Sequence, residues 1–91
     1  MKIDFDPTKS KRNARERALA FERVAEFNWE EVYFDNIRNP YPERRFLAIG
    51  YLDDRLHVPC FSPINAGVRI ISFRKASNRE AQDHGKPLTA D

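Results

Sequence analysis

The chain has 91 residues, 41% of them hydrophobic and 33% charged, with a formal net charge of +2. That length suits one domain built on one core, and the apolar and aromatic content excludes a disordered chain. The single cysteine, Cys60, excludes an internal disulfide and suits a reducing cytosol, while no run of about 18 apolar residues offers a membrane span and Met1 to Asp6 reads as no signal peptide.

In chain order, Ile3 and Phe5 alternate with Lys2, Asp4 and Asp6, the pattern of a short strand with one buried face. Asp6-Pro7 opens a helix, with Asp as N-cap and Pro at the first helical position. From Thr8 to Arg17 that helix carries almost nothing apolar beyond Ala14, so it belongs on the surface. Ala18, Phe21, Val24, Ala25 and Asn28 then follow i, i+3, i+4, i+7 spacing and predict an amphipathic helix ending near Trp29. Between residues 16 and 21 no Gly or Pro separates the two helices, so one helix or two remain open.

Val32 to Arg38 is rich in strand formers, and Asn39-Pro-Tyr-Pro42 reads as a loop. Three further strands follow at Arg45 to Leu52, Arg55 to Ser62 and Gly67 to Lys75, joined by connections too short for anything but antiparallel neighbours. Pro59 lacks a ladder donor, so its strand is bulged or lies at an edge there. Ser77-Asn-Arg-Glu80 is a capping box opening a short helix, which Gly85 and Pro87 close. The expected architecture is α+β: an N-terminal strand and one or two helices packed on a mostly antiparallel sheet of four further strands, then a short C-terminal helix. It forms a single domain over 1–91, with residues 86–91 as a loose tail.

Metal chemistry finds little support. His57 and Cys60 have ligand-like spacing, but the only other His is His84, and a structural zinc site needs four ligands. An exposed hairpin His and a buried thiol explain the pair more simply, so no metal and no cofactor is expected. The charge question turns on arginine, since 11 of the 16 basic residues are Arg, the side chain that forks onto phosphate oxygens. Lys9, Lys11, Arg12 and Arg15 give the first helix a basic face, which suits a phosphate backbone, an acidic partner or simple solvation. Glu43, Arg44 and Arg45 sit at the mouth of one strand, and Arg69, Arg74 and Lys75 on another. RNA is cleaved without metal when its 2′-hydroxyl attacks the adjacent phosphorus, a reaction that needs a base, an acid and cations on the phosphorus oxygens. Simple alternation puts Arg74 with Ser72 and Ile70 on one face and Arg69 with Ile71 and Phe73 on the other, so only one of the two arginines faces a common site unless a bulge intervenes. Taken alone, these arginines are better explained as surface ion pairs, and Glu80 as a cap.

Four landmarks in sequence order change that balance. They are Ile3-Asp-Phe-Asp-Pro7 with Asn13 and Phe21 beyond; Glu43-x-Arg45-x-x-x-Ile49-Gly50; Arg69-Ile-Ile-Ser-Phe-Arg74; and Ala76 with Glu80 behind. Together, over residues 3–80, they resemble the BrnT family of bacterial toxins, ribonucleases with a RelE-like fold. The resemblance implies a toxin of a type II toxin–antitoxin pair that cleaves RNA, inhibits translation in the cytoplasm and is neutralised by a BrnA-like antitoxin with a ribbon-helix-helix domain, through which alone it would meet DNA. Arg45 and Arg74 match the family pattern and are the expected catalytic residues; Arg44, Arg69 and Lys75 at the strand ends and Lys11 and Arg15 on the first helix are the expected RNA contacts. Where the family usually carries Lys-His-Gly this chain has Glu16-Arg17-Ala18, and where an Arg often precedes the last turn it has Ser62-Pro63-Ile64. The alternative to a working nuclease is therefore a weakened or inactive homologue that binds protein or nucleic acid.

Overall fold

Eight regular elements, five of them strands of one sheet that carries helical segments on both faces, are seen in a computed structural model that describes residues 1–34 and 43–90. Strands β1 (Lys2–Phe5), β2 (Asn28–Phe34), β3 (Phe46–Leu52), β4 (Arg55–Ile64) and β5 (Gly67–Lys75) lie in the order β1-β5-β4-β3-β2. All neighbours are antiparallel except β1 on β5. Helix α1 (Pro7–Arg17) and a 3₁₀ helix (Phe21–Glu26) follow β1, and α2 (Asn78–Asp83) follows β5. The architecture is the α+β arrangement expected. The loop placed at Asn39–Pro42, and the strand residues beyond Phe34, lie outside the described residues.

The caps act as the sequence implies. The Asp6 carboxylate accepts from the Thr8 amide at 2.9 Å with Pro7 as the first helical residue. At the far end of the chain, the Ser77 hydroxyl accepts from the Glu80 amide while Glu80 accepts from the Ser77 amide, closing the capping box. Gly85, at φ 61°, ends α2.

The predicted amphipathic helix is corrected. Ala18 takes a left-handed conformation (φ 55°, ψ 35°) and ends α1, so the chain breaks between the two helical segments. Phe21, Val24 and Phe27 are buried, whereas Ala25 and Asn28 are exposed. Burial every third residue is the 3₁₀ period, in which i and i+3 eclipse, and not the α period. Trp29 accordingly starts β2 instead of ending a helix, with its ring edge-on to Phe27 and Phe61.

Two cores result. Leu19, Phe21, Val24, Phe27, Phe61, Ile70 and Phe73 pack between the sheet and the 3₁₀ segment, and Ile49, Leu56, Val58, Ala76 and Ala81 pack under α2. Ser10 fastens α1 to the first core: it is 3% exposed, accepts from the Phe21 amide at 2.9 Å and donates to Glu22 at 2.6 Å. His57, expected to be exposed, is only 4% exposed, with its Nδ1 2.7 Å from the Arg55 carbonyl oxygen. The hairpin turn is made by Asp53 and Asp54 alone, both at positive φ, so His57 already lies inside the sheet. The C-terminal tail is not loose as far as Ala90: the Leu56 amide donates to the Leu88 carbonyl, the Ala90 amide to the Asp54 carbonyl, and Tyr51 donates to the Pro87 carbonyl, each at 2.8 Å. The open backbone at the β3–β4 turn supplies the partners that hold it.

Pro59 lies in a central strand, opposite Phe73 of β5. The β4–β5 register shifts between Cys60 and Phe61, where the partners step from Ser72 to Ile70 and leave Ile71 as an extra residue in β5. One added residue turns the alternation over. Ile70 and Phe73 therefore share the core face, and Arg69, Ser72 and Arg74 share the other, which corrects the simple alternation that put the two arginines on opposite faces.

Candidate functional site

The sheet face that carries α2 can be read in rows, because paired residues of neighbouring strands point the same way. One row runs Tyr33, Leu47, Cys60, Ser72 across β2 to β5. On one side of it, Arg69 pairs with Ser62, and continuing the β3 register brings Arg45 beside Ser62. On its other side lie Arg74, paired with Val58, and Glu31, paired with Ile49, with α2 standing over them as a wall. The result is an open shelf with arginines at both ends. Arg45 and Arg74 are two residues to either side of this row on strands two apart, so their backbones lie roughly 16 Å apart.

Arg74 is held rigidly. Its two terminal nitrogens donate to the two oxygens of Glu80 at 2.7 and 2.9 Å, a bidentate pair. The Arg74 guanidinium, ahead of the Ser77 amide, holds the Glu80 carboxyl down at about 2. Glu80 in turn raises the pKa of Arg74, with smaller contributions from Tyr33 and Cys60. One carboxylate thus both caps α2 and orients the arginine. At the other end of the shelf, Arg69 Nε donates to Asp4 at 2.9 Å across β1 and β5, and Arg45 lies 3.8 Å from Glu43.

Other sequence candidates fall elsewhere. Arg44 lies over the Phe46 ring, 6.0 Å from its centroid, on the opposite face of β3 from Arg45. Lys75 pairs with His57 and points to the α1 side of the sheet. Lys11 and Arg15 are exposed on the side of α1 turned away from β5. The structure therefore brings Arg45, Arg69 and Arg74 to one face and leaves Arg44, Lys75, Lys11 and Arg15 off it.

Three groups on the shelf escape a reading of the sequence alone. The His84 ring packs on Tyr33 with centroids 4.7 Å apart, and its Nδ1 lies 3.4 Å from Glu31. Glu31 also meets Lys86 at 3.4 Å, and His84, ahead of Lys86, lowers its pKa. A signal for them existed: Glu80 and His84 are four apart on one helix face, and Glu31 and Tyr33 two apart on one strand face.

Residues 5–80 match the family described as ribonuclease toxin, BrnT, of type II toxin-antitoxin system. The chain belongs to the BrnT family. No curated protein and no solved structure matches it. The BrnT match spans α1, the whole sheet from Phe5 onward and the first residues of α2, so it ends on Glu80, the partner of Arg74. A ribonuclease toxin of a type II system has RNA as substrate and an antitoxin as partner.

Proposed function

We propose that this BrnT-family toxin cleaves single-stranded RNA on the shelf between α2 and the Arg45–Arg69 row, without a metal ion, and so inhibits translation in the cytoplasm. The observation that carries the reading is the fixed Arg74 guanidinium facing the same open surface as Arg45 and Arg69. Substrate phosphates spanning the shelf meet Arg69 and Arg45 at one end and Arg74 at the other. At the scissile phosphate the 2′-hydroxyl attacks phosphorus, and arginine stabilises the charge that develops on its oxygens in a site already organised to receive it. Tyr33, which interacts with Arg74, and His84, whose ring packs on Tyr33, are in this reading the groups that carry the proton taken from the 2′-hydroxyl or given to the leaving 5′-oxygen.

Among the described residues no three His, Cys, Asp or Glu side chains gather where an ion would bind. No helix of the described residues is long and apolar enough to cross a membrane. The partner in this reading is a BrnA-like antitoxin with a ribbon-helix-helix domain, and DNA is reached only through it.

The test is cleavage of RNA in EDTA by wild type, Arg45→Ala and Arg74→Ala protein, with folding checked by circular dichroism. Loss of one organised cation costs about 10² to 10³ in kcat. Full activity in both folded variants removes the assignment. A second reading, a binding module without turnover, draws on the same pair: Glu80 already occupies both terminal nitrogens of Arg74. Harmless expression of the chain alone, with tight binding to the antitoxin and no RNA cleavage, decides for that reading.

A further inference from the structure

Strand β1 covers only the first half of β5. Its last pair is Phe5 with Ile70, so from Ile71 to Lys75 no strand of the described residues pairs with the outer edge of β5. Helix α1 runs beside this open edge instead, leaving a groove of about 270 Å³ lined by Lys9, Arg12, Asn13, Arg17, Ser72 and Arg74, among others. Four of these six are cationic, against the single acid Glu16 in the lining. The groove therefore meets the shelf at Ser72 and Arg74, the two residues they share.

We infer that this groove is a second RNA-binding site, which takes the strand leaving the shelf as it passes over the β5 edge and holds its phosphates between α1 and β5. The inference rests on the ribonuclease reading and extends its substrate contacts beyond the shelf. An open strand edge would also suit an added peptide strand. Here the Phe73 carbonyl, in the middle of the edge, already accepts from the Asn13 side-chain amide at 2.9 Å, and the same amide group donates to the Leu19 carbonyl at 2.7 Å. An incoming strand would have to displace that bridge, whereas a phosphate backbone needs only the cations above it. Polar lining and net positive charge favour the nucleic acid for the same reason.

Lys11 and Arg15 are the RNA contacts expected of this helix from sequence, but the position of β5 favours Lys9 and Arg12. Lys9 and Arg12 are exposed and face the groove, while Lys11 and Arg15 project from the far side of the helix. Removing two charges from each side is therefore a matched comparison.

The experiment measures binding of labelled oligouridylates of about 4 and about 16 nucleotides to the full chain, across a salt series. Lys9→Ala/Arg12→Ala is expected to weaken the longer RNA about tenfold and to flatten its log–log salt slope by about 1.4, the value for two lost phosphate contacts on a single strand. Lys11→Ala/Arg15→Ala is expected to cost less than about threefold, in line with a general loss of charge. Arg12→Glu gives a second variant in which repulsion weakens binding further. Equal losses in the two double variants overturn the groove, as does an unchanged salt slope in Lys9→Ala/Arg12→Ala. If wild type binds and cuts RNA and Lys9→Ala/Arg12→Ala instead loses only the antitoxin, the groove belongs to a protein partner and the inference fails alone. If wild type binds RNA of neither length, the groove and the ribonuclease reading fall together.

Discussion

Glu80→Gln separates the two duties of the carboxylate that fixes Arg74. Glutamine keeps the shape and satisfies the capping box, whose third position accepts Gln as readily as Glu, so the cap contributes little to the difference. What disappears is the charge. The wild-type carboxyl is lowered from 4.5 to about 2, chiefly by the Arg74 guanidinium. Fully converted, that shift is a ceiling of about 3.4 kcal/mol at neutral pH. Arg74 is 35% exposed, so solvent screening reduces it to roughly 1 to 2 kcal/mol. The sign follows from linkage: the native state holds its proton less tightly than the unfolded chain, so the stabilisation is complete well above pH 4.5 and is lost as pH falls towards about 2. At about pH 3 some four-tenths of it survives. Urea unfolding at pH 7, 5 and 3 should show the variant less stable by the full amount at pH 7 and 5, with the gap closing at pH 3. A gap that stays constant across that range, or none at pH 7, refutes the ionic account of the pair. The freed guanidinium should also bind RNA more tightly while turning it over more slowly, which a split between KM and kcat would record.

Three further outcomes follow from single contacts. His84→Asn keeps a polar side chain at the end of α2 but removes the imidazole; if His84 moves a proton, kcat falls about 10² to 10⁴-fold and the pH–rate profile changes shape, whereas a purely structural role leaves the profile's shape unchanged. In Gly50→Ala a Cβ would stand 1.8 Å from the Asn28 carbonyl oxygen, so β2 and β3 must separate, and thermal unfolding should show a loss of more than about 2 kcal/mol. Ala18→Gly relieves a left-handed alanine at φ 55°; the strain removed, about 1 to 2 kcal/mol, exceeds the added entropy of the unfolded chain, so the midpoint of thermal unfolding should rise.

The elements fixed by local chemistry were readable in the chain. Asp6-Pro7 and Ser77 to Glu80 carry complete capping signals that need no distant partner, and Asp53-Asp54 supplies the turn between β3 and β4. Legibility failed where tertiary contacts chose between neighbouring periods. Phe21, Val24 and Ala25 fit an α-helix as well as Phe21, Val24 and Phe27 fit a 3₁₀ turn, and the decision came from the left-handed Ala18 and the Ser10 hydroxyl bound to the Phe21 amide, 11 residues away in sequence. The tail went unread for a similar reason: its partners are Asp54 and Leu56, in a hairpin some thirty residues earlier.

The site was legible in its residues but not in its geometry. Arg45 and Arg74 stand out in the sequence, yet what gives them a common face with Arg69 is one extra residue in β5, and nothing in Arg69-Ile-Ile-Ser-Phe-Arg74 says that Ile71 is that residue. The extra residue lies opposite the step from Cys60 to Phe61, beyond Pro59, whose own partner is Phe73 in regular register. Had β5 alternated regularly back from the buried Phe73, Arg69 would face α1 and the shelf would keep arginine at Arg45 and Arg74 only.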